Sequence, residues 1–361
     1  MYKRSLRKPD GRQLHLYGFQ PISEDIVAPS PSRTAWQPTS HLRWHPLRGE
    51  WVIYAMHRQN RTFLPPAQYN PLAPGNDPAR PTELPVGSWD VAVFDNLYPA
   101  LSASAHPPPV INVQTRPGLG ACEVVVFAQD AGASLGGLPV VHIALLLEVW
   151  ADRYRELGAR EDVQYVFPFE NRGAAVGATL HHPHGQIYAY PFVPPIPARE
   201  LKMQRRHLAV HGRGLLETLI DDEVREGNRL LHVDERAIAF IPVCARYAYE
   251  VWVAPRRGAA SLAALEREER ESFARALKTV LLKLDGLWEE PMPYVLVLHQ
   301  APTDGLPHPE AHAHIQIYPA LRMAGRLKYL AGSELGAGVF TADTSPEEKA
   351  AELRAVKVTI D

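Results

Sequence analysis

Apolar and polar positions change period several times along the chain. Short runs rich in Val, Ile, Phe and Tyr, such as Trp51-Val52-Ile53-Tyr54, Val91 to Phe94 and Tyr294 to Leu298, predict strands. Pro139 to Leu157 and Leu265 to Trp288 carry apolar residues at three- and four-residue spacing with charges between them, which predicts amphipathic helices. Glu200 to Arg229 reads as a helical excursion. The Pro-rich segments Leu64 to Pro85 and Pro191 to Pro197 read as surface loops, because Pro supplies no backbone donor for a strand ladder.

The pattern repeats. Cys122-Glu123-Val124-Val125-Val126-Phe127-Ala128 is similar to Tyr249-Glu250-Val251-Trp252-Val253-Ala254, and Ala133-Ser134-Leu135 returns as Ala260-Ser261-Leu262, both at an offset of 127 residues. Each pair is followed by one of the helical runs. Tyr165-Val166 then matches Tyr294-Val295 at offset 129, and His182-x-His184-x-Gln186 matches His312-x-His314-x-Gln316 at offset 130. Four matches in the same order with a nearly constant offset point to a duplication. Each unit reads as strand, turn, strand, helix, strand, strand, with hairpin-like turns that imply antiparallel pairing. The expected fold class is α+β, with two related halves, residues 1–195 and 196–361, packed as one unit.

Composition narrows the class. Of 361 residues, 46% are apolar and 22% charged, as in a globular protein, and no apolar run approaches the length that crosses a bilayer. The basic start, Met1 to Gly11, is not followed by an apolar core, so no secretory signal is expected and the chain reads as cytoplasmic. Two cysteines, Cys122 and Cys244, exclude a disulfide framework. A net charge of -2 argues against nucleic acid as a partner, so an anionic ligand must be held by local groups.

Residues two apart on a strand share a face, so His182, His184 and Gln186 are expected to point one way, as are His312, His314 and Gln316. A lone histidine is usually a packing residue, but two matched clusters weaken that reading. Zinc at His184 is not expected, since neither Cys-x-x-Cys nor His-Glu-x-x-His accompanies it. A histidine attacks phosphorus when one ring nitrogen is unprotonated and the other is tied to a fixed carbonyl. Gly185 is expected to let the backbone approach the phosphate. Gln186 holds a phosphoryl oxygen but delivers no proton, which suits a leaving group such as a sugar phosphate, with a second pKa of about 6. The chemistry these residues imply is transfer between phosphates.

Phe169-Glu170-Asn171-Arg172-Gly173-Ala174-Ala175-Val176-Gly177 followed by His182-Pro183-His184-Gly185-Gln186 resembles the galactose-1-phosphate uridylyltransferases, a branch of the histidine-triad superfamily. The likeness starts at Arg43-Trp44-His45-Pro46-Leu47-Arg48-Gly49-Glu50-Trp51, continues through Met56-His57-Arg58-Gln59-Asn60-Arg61 and reaches Arg326-Leu327-Lys328-Tyr329. The resemblance implies two histidine-triad-like halves and a ping-pong reaction. UDP-glucose uridylylates His184 and releases glucose 1-phosphate, and galactose 1-phosphate then takes the uridylyl group. It assigns Gln186 to the phosphoryl oxygens, His182 to support of the nucleophile's strand, and Asn171, Gly177 and Thr179 to the nucleotide phosphates. Arg58 and Arg61 match arginines near the phosphates, and Asn96 matches a nucleoside-binding position. Lys328 and Glu334 match positions that reach the hexose from a partner subunit, which implies a homodimer. No cofactor is required for the chemistry.

Departures from the family pattern carry their own expectations. Many members hold a structural zinc with a Cys-x-x-Cys pair and two histidines, the second at the place of His182. Here Asn70 and Ala73 stand where cysteines would, and Ala131 stands where the other histidine would, so no zinc is expected there. A second metal site in some members uses a glutamate and three histidines. Glu200, His299 and His314 match three positions and Gln316 the fourth, leaving a structural divalent metal, iron or zinc, with His312 on the same strand to compensate. Leu97 replaces an acidic residue beside the nucleoside. The rival readings are an ADP-glucose or diadenosine tetraphosphate phosphorylase, which keeps His184 but uses inorganic phosphate, and a nucleotide sensor that binds without turnover. A hydrolase of the superfamily carries a third histidine where Gln186 stands.

Overall fold

The computed structural model describes residues 1–32, 34–60, 69–288 and 290–361, the side chain of residue 60 excepted. The chain begins with a hairpin, β1 (Tyr2–Arg7) and β2 (Gln13–Gly18), then β3 (His41–His45), β4 (Glu50–Tyr54), β5 (Val91–Asp95), β6 (Thr115–Pro117), β7 (Ala121–Val126), helix α1 (Val140–Gly158), β8 (Tyr165–Arg172) and β9 (His184–Tyr190). Helices α2 (Pro195–His211) and α3 (Leu215–Glu226) lead into β10 (Leu230–Val233), β11 (Ala237–Phe240), β12 (Val251–Pro255), α4 (Arg267–Asp285), β13 (Tyr294–His299) and β14 (His314–Pro319). A short hairpin, β15 (Leu321–Met323) and β16 (Arg326–Leu327), and helix α5 (Pro346–Ala355) complete the chain.

Eleven strands form one antiparallel sheet in the order β1-β2-β5-β7-β9-β8-β13-β14-β12-β11-β10. The duplication is visible in that order. The set β5-β7-β9-β8 is mirrored by β11-β12-β14-β13, and the halves join where β8 pairs with β13 through Tyr294↔Arg172 to Val297↔Phe169. The architecture is the α+β class expected from the pattern.

Helices α1 and α4 pack side by side against one sheet face, and their buried residues, among them Trp150, Leu146, Phe273 and Leu281, form the main core. The short turn Leu135–Gly137 sits on α4 and its counterpart Leu262–Ala264 on α1, so the repeats clasp each other. The approach at Gly136 is close enough that a Cβ there would lie 2.8 Å from Leu281 Cβ. A second cluster, with Leu14, Leu72, Trp89, Phe94 and Val126, covers the opposite face at the β2-β5-β7 edge. A separate sheet, β4-β3-β6, lies over Cys122, Tyr188, Tyr190 and Phe192.

Two local expectations change. Pro195 and Pro197 belong to the first turn of α2 and not to a loop, a position where the missing N–H is unpaired in any case. The helical excursion is two helices, broken where Gly212 adopts a left-handed conformation at φ 67°.

Candidate active site

Strand β9 alternates strictly, with His184, Gln186, Tyr188 and Tyr190 on the open face and Gly185, Ile187 and Ala189 buried toward α1. His184 and Gln186 line a cavity of about 410 Å³ with Asn96, Leu97, Tyr98, Thr179 and Leu180. Leu72, Phe94 and Val124 form its apolar wall. Asn171 lies two residues beyond Phe169, the register partner of Gln186, and so shares the face of His184. Gly177, left-handed at φ 82°, closes the turn that leads to Thr179. Arg58 donates from Nη1 to the Tyr98 carbonyl at 3.1 Å and to the Tyr188 hydroxyl at 3.3 Å, which holds it at the edge of the same cavity. Arg61 lies outside the described residues.

The nucleophile's tautomer is fixed by the backbone. His184 donates from Nδ1 to the His182 carbonyl at 2.7 Å, which leaves Nε2 as the nitrogen bearing the lone pair. The same bond recurs in the other half, from His314 Nδ1 to the His312 carbonyl at 2.8 Å.

His182 lies on the side of the sheet that His184 faces, its ring tied to Asn70 beside the cavity-lining Pro71 and Leu72. It precedes β9 in a bend, is buried, and donates from Nε2 to the Ala128 carbonyl at 2.7 Å, while His312 does the same to the Pro255 carbonyl at 2.8 Å. The strands themselves begin only at His184 and His314. Burial lowers the affinity of both His182 and His312 for a proton. Gly185 likewise faces inward, where a Cβ would lie 2.7 Å from the Phe169 carbonyl oxygen and 2.8 Å from the Phe127 ring, so packing rather than phosphate approach demands glycine.

Charge in the cavity wall is offset. Glu83 lines the cavity, but its carboxylate is held by Lys8 at 2.6 Å and Arg12 at 2.9 Å, both buried. Among the residues read from the sequence, Lys328 and Glu334 stand apart. Lys328 lines a second cavity with Arg246, Tyr247, Arg322 and Asp343 that shares no residue with the first, and it donates to the Thr341 carbonyl at 2.9 Å.

The two metal positions differ. Near His182 the donors do not fit zinc: Asn70 donates from Nδ2 to His182 Nδ1 at 3.0 Å, so the imidazole lone pair a cation would use is taken. At the other position Glu200, His299 and His314 do converge. Glu200 Oε2 lies 3.0 Å from His299 Nδ1, and the His299 and His314 rings stack with centroids 5.3 Å apart. Gln316 donates from Nε2 to Glu200 Oε1 at 3.0 Å and to His314 Nε2 at 2.9 Å. Burial opposes the charge of Glu200, but His299, then His314 and Gln316, outweigh it and hold the carboxyl at about 2; burial brings His314 down to about 4. His312 Nδ1 and Gln204 Oε1 are buried without a hydrogen-bond partner around a small cavity there. Imidazole rings gathered beside a carboxylate are a donor set that suits a divalent cation. No three His, Cys, Asp or Glu side chains among the described residues form a ready metal cage.

Residues 32–194 match the N-terminal domain and residues 200–360 the C-terminal domain of galactose-1-phosphate uridyl transferase. The chain belongs to this family. It is thus a nucleotidyltransferase. Among its relatives, a galactose-1-phosphate uridylyltransferase of Thermotoga maritima is 36% identical over 326 residues, covering 88% of this chain and 99% of the relative. One of Streptomyces lividans is 35% identical over 308 residues, covering 84% and 81%. A solved uridylyltransferase structure superimposes with a TM-score of 0.79 at 34% identity, covering 88% of this chain and 98% of that one. An Arabidopsis thaliana ADP-glucose phosphorylase shares the fold, with a TM-score of 0.66 at 24% identity, covering 89% of this chain and 100% of that one.

The sequence reading missed the apolar wall of Leu72, Phe94 and Leu180. Its signal was an alternation that places Phe94 and Asn96 on one face. It also missed the bond from Asn70 to His182, which spans 112 residues and has no local signature.

Proposed function

We propose that this uridylyltransferase-family chain moves UMP from UDP-glucose to galactose 1-phosphate through a uridylyl group on His184. The bond from His184 Nδ1 to the His182 carbonyl, at the wall of a cavity with an apolar end, carries this reading. His184 Nε2 attacks the α-phosphorus, a P–N bond forms, and the P–O bond to glucose 1-phosphate breaks with its electron pair leaving on the sugar phosphate. That group, with a second pKa of about 6, departs without a proton. An oxygen of galactose 1-phosphate then displaces His184 and gives UDP-galactose. Gln186 steadies the phosphoryl oxygens as a neutral amide, with Arg58, Asn171, Thr179 and the backbone at Gly177 around them. Arg61 belongs to the same set by resemblance, and Asn96 serves the nucleoside.

The working unit in this reading is a cytoplasmic homodimer of chains with an N-terminal half, 1–195, that holds the nucleophile and a C-terminal half, 196–361. None of the described helices is long and apolar enough to cross a membrane. Glu200, His299 and His314 hold a structural divalent ion, iron or zinc, away from the chemistry, supported by the approach of the Glu200 carboxylate to the two stacked imidazoles and requiring the Gln316 amide to give up His314 Nε2. Metal content of the purified protein is the measurement that decides it.

Intact mass tests the main reading. UDP-glucose alone is expected to add one uridylyl group, absent in His184→Ala, and galactose 1-phosphate to discharge it. Discharge by inorganic phosphate only would make the chain a phosphorylase, and binding without any adduct would make it a sensor.

A further inference from the structure

We infer that Asn70 is a positioning residue for the nucleophile, acting through His182; the inference rests on the reading of His184 given above. The carboxamide is tied at both ends. Its Oδ1 accepts the Leu72 backbone N–H at 3.0 Å and its Nδ2 donates to His182 Nδ1 at 3.0 Å. His182 in turn donates from Nε2 to the Ala128 carbonyl at 2.7 Å, so both ring nitrogens are committed and the ring cannot rotate without breaking a buried bond. The carbonyl of that same residue receives the Nδ1 proton of His184. One amide therefore connects Leu72, in the wall of the cavity, to the group that fixes the tautomer and aim of the attacking imidazole.

The duplication supplies an internal comparison. In the other half His312 makes the equivalent bond to the Pro255 carbonyl and receives His314 Nδ1 on its own carbonyl, but its Nδ1 has no hydrogen-bond partner among the described residues. The two imidazole-to-carbonyl bonds are thus common to both repeats. Among the described residues the amide bond is present only in the half whose second histidine, His184, lines the larger cavity with Gln186. Neither imidazole nitrogen of His182 is left for a cation, so hydrogen bonds alone orient the ring.

Asn70→Asp separates orientation from packing. The substitution keeps the shape and keeps an oxygen to accept from Leu72, but an ionised carboxylate cannot donate to a neutral imidazole nitrogen. The experiment follows formation of the uridylyl adduct in a single turnover with UDP-glucose at about pH 9, where the imidazole is neutral. The expected result is a rate about 10- to 100-fold below that of the unaltered protein, with the UDP-glucose Kd changed by less than about 3-fold. Asn70→Ala is expected to lose the rate and to weaken binding as well, because the Leu72 turn is lost too. Should Asn70→Ala fail to fold, Asn70→Asp alone decides. An Asn70→Asp rate within about 2-fold of the unaltered protein overturns the inference while leaving His184 in place. Absence of any adduct in the unaltered protein sinks the nucleophile itself, a different and distinguishable failure.

Discussion

Amide side chains occupy three decisive places in this molecule, and in each the difference between an amide and an imidazole or thiolate sets the chemistry. Gln186 can hold an oxygen but gives no proton, Asn70 orients where a thiolate would coordinate, and Gln316 stands between Glu200 and His314 where a third imidazole would complete a cation site. Its carbonyl oxygen is committed to the Tyr318 hydroxyl. Gln316→His adds a nitrogen ligand to a carboxylate and two histidines and is expected to tighten Zn²⁺ binding by about 10-fold or more. Titration against a competing chelator measures this, and an unchanged affinity would remove the cluster from consideration as a metal centre. The placement of His184 and Gln186 on one face was legible from the two-residue period of a strand. The bonds that lock His182 were not, since their partners Ala128 and Asn70 lie far away in the chain.

At the level of elements, the joint between the halves carries a buried acid. Glu170 on β8 faces the seam with β13, accepts a hydrogen bond from the Tyr294 hydroxyl at 2.9 Å, and has Arg172, itself paired with Asp285, nearby. Burial pushes its carboxyl up to about 7, against the pull of Tyr294 and Arg172. A carboxyl that holds its proton more tightly when folded stabilises the fold fully below its ordinary value of 4.5, and that contribution fades as pH rises through about 7. Stability is therefore expected to fall between those limits by up to about 3 kcal/mol from this group alone. Glu170→Gln keeps an acceptor for Tyr294 and removes the titration, so urea denaturation at a series of pH values should show a flatter profile and a more stable protein at about pH 8. A variant whose profile parallels the original would place the titrating group elsewhere. The paired strands and both core helices were readable because each repeat confirmed the other: α1 and α4 fall within a few residues of the expected runs. Strand β2 is mirrored by β10 at the far end of the sheet, but β1 and the β4-β3-β6 sheet have no counterpart among the described residues of the second half. Their placement follows from the apolar surfaces they cover, at Leu72 and Phe94 and at Cys122 and Tyr188.

For the whole molecule, the separation of the two cavities is the informative fact. His184 and Lys328 serve one reaction by resemblance, yet in a single chain they line cavities with no residue in common. If Lys328 and Glu334 reach the hexose, they do so in a neighbouring copy, and the active site is composite. The half-buried rings of Phe167 and Phe169 offer a sheet face against which such a copy can pack. A composite site makes a quantitative demand. His184→Ala and a Lys328→Ala, Glu334→Ala double variant are each expected to be nearly inactive, since every dimer of either kind lacks one component at both sites. After the two are mixed and allowed to exchange subunits, half of the dimers are hybrids, and each hybrid contains one site with an intact nucleophile and an intact hexose arm. Transfer activity should then recover to about a quarter of that of the unaltered protein. The rate of UMP transfer in the equilibrated mixture checks this directly. A mixture no more active than the sum of its components would mean that each chain completes its own site, and that Lys328 acts where it is seen, beside Arg246 and Arg322.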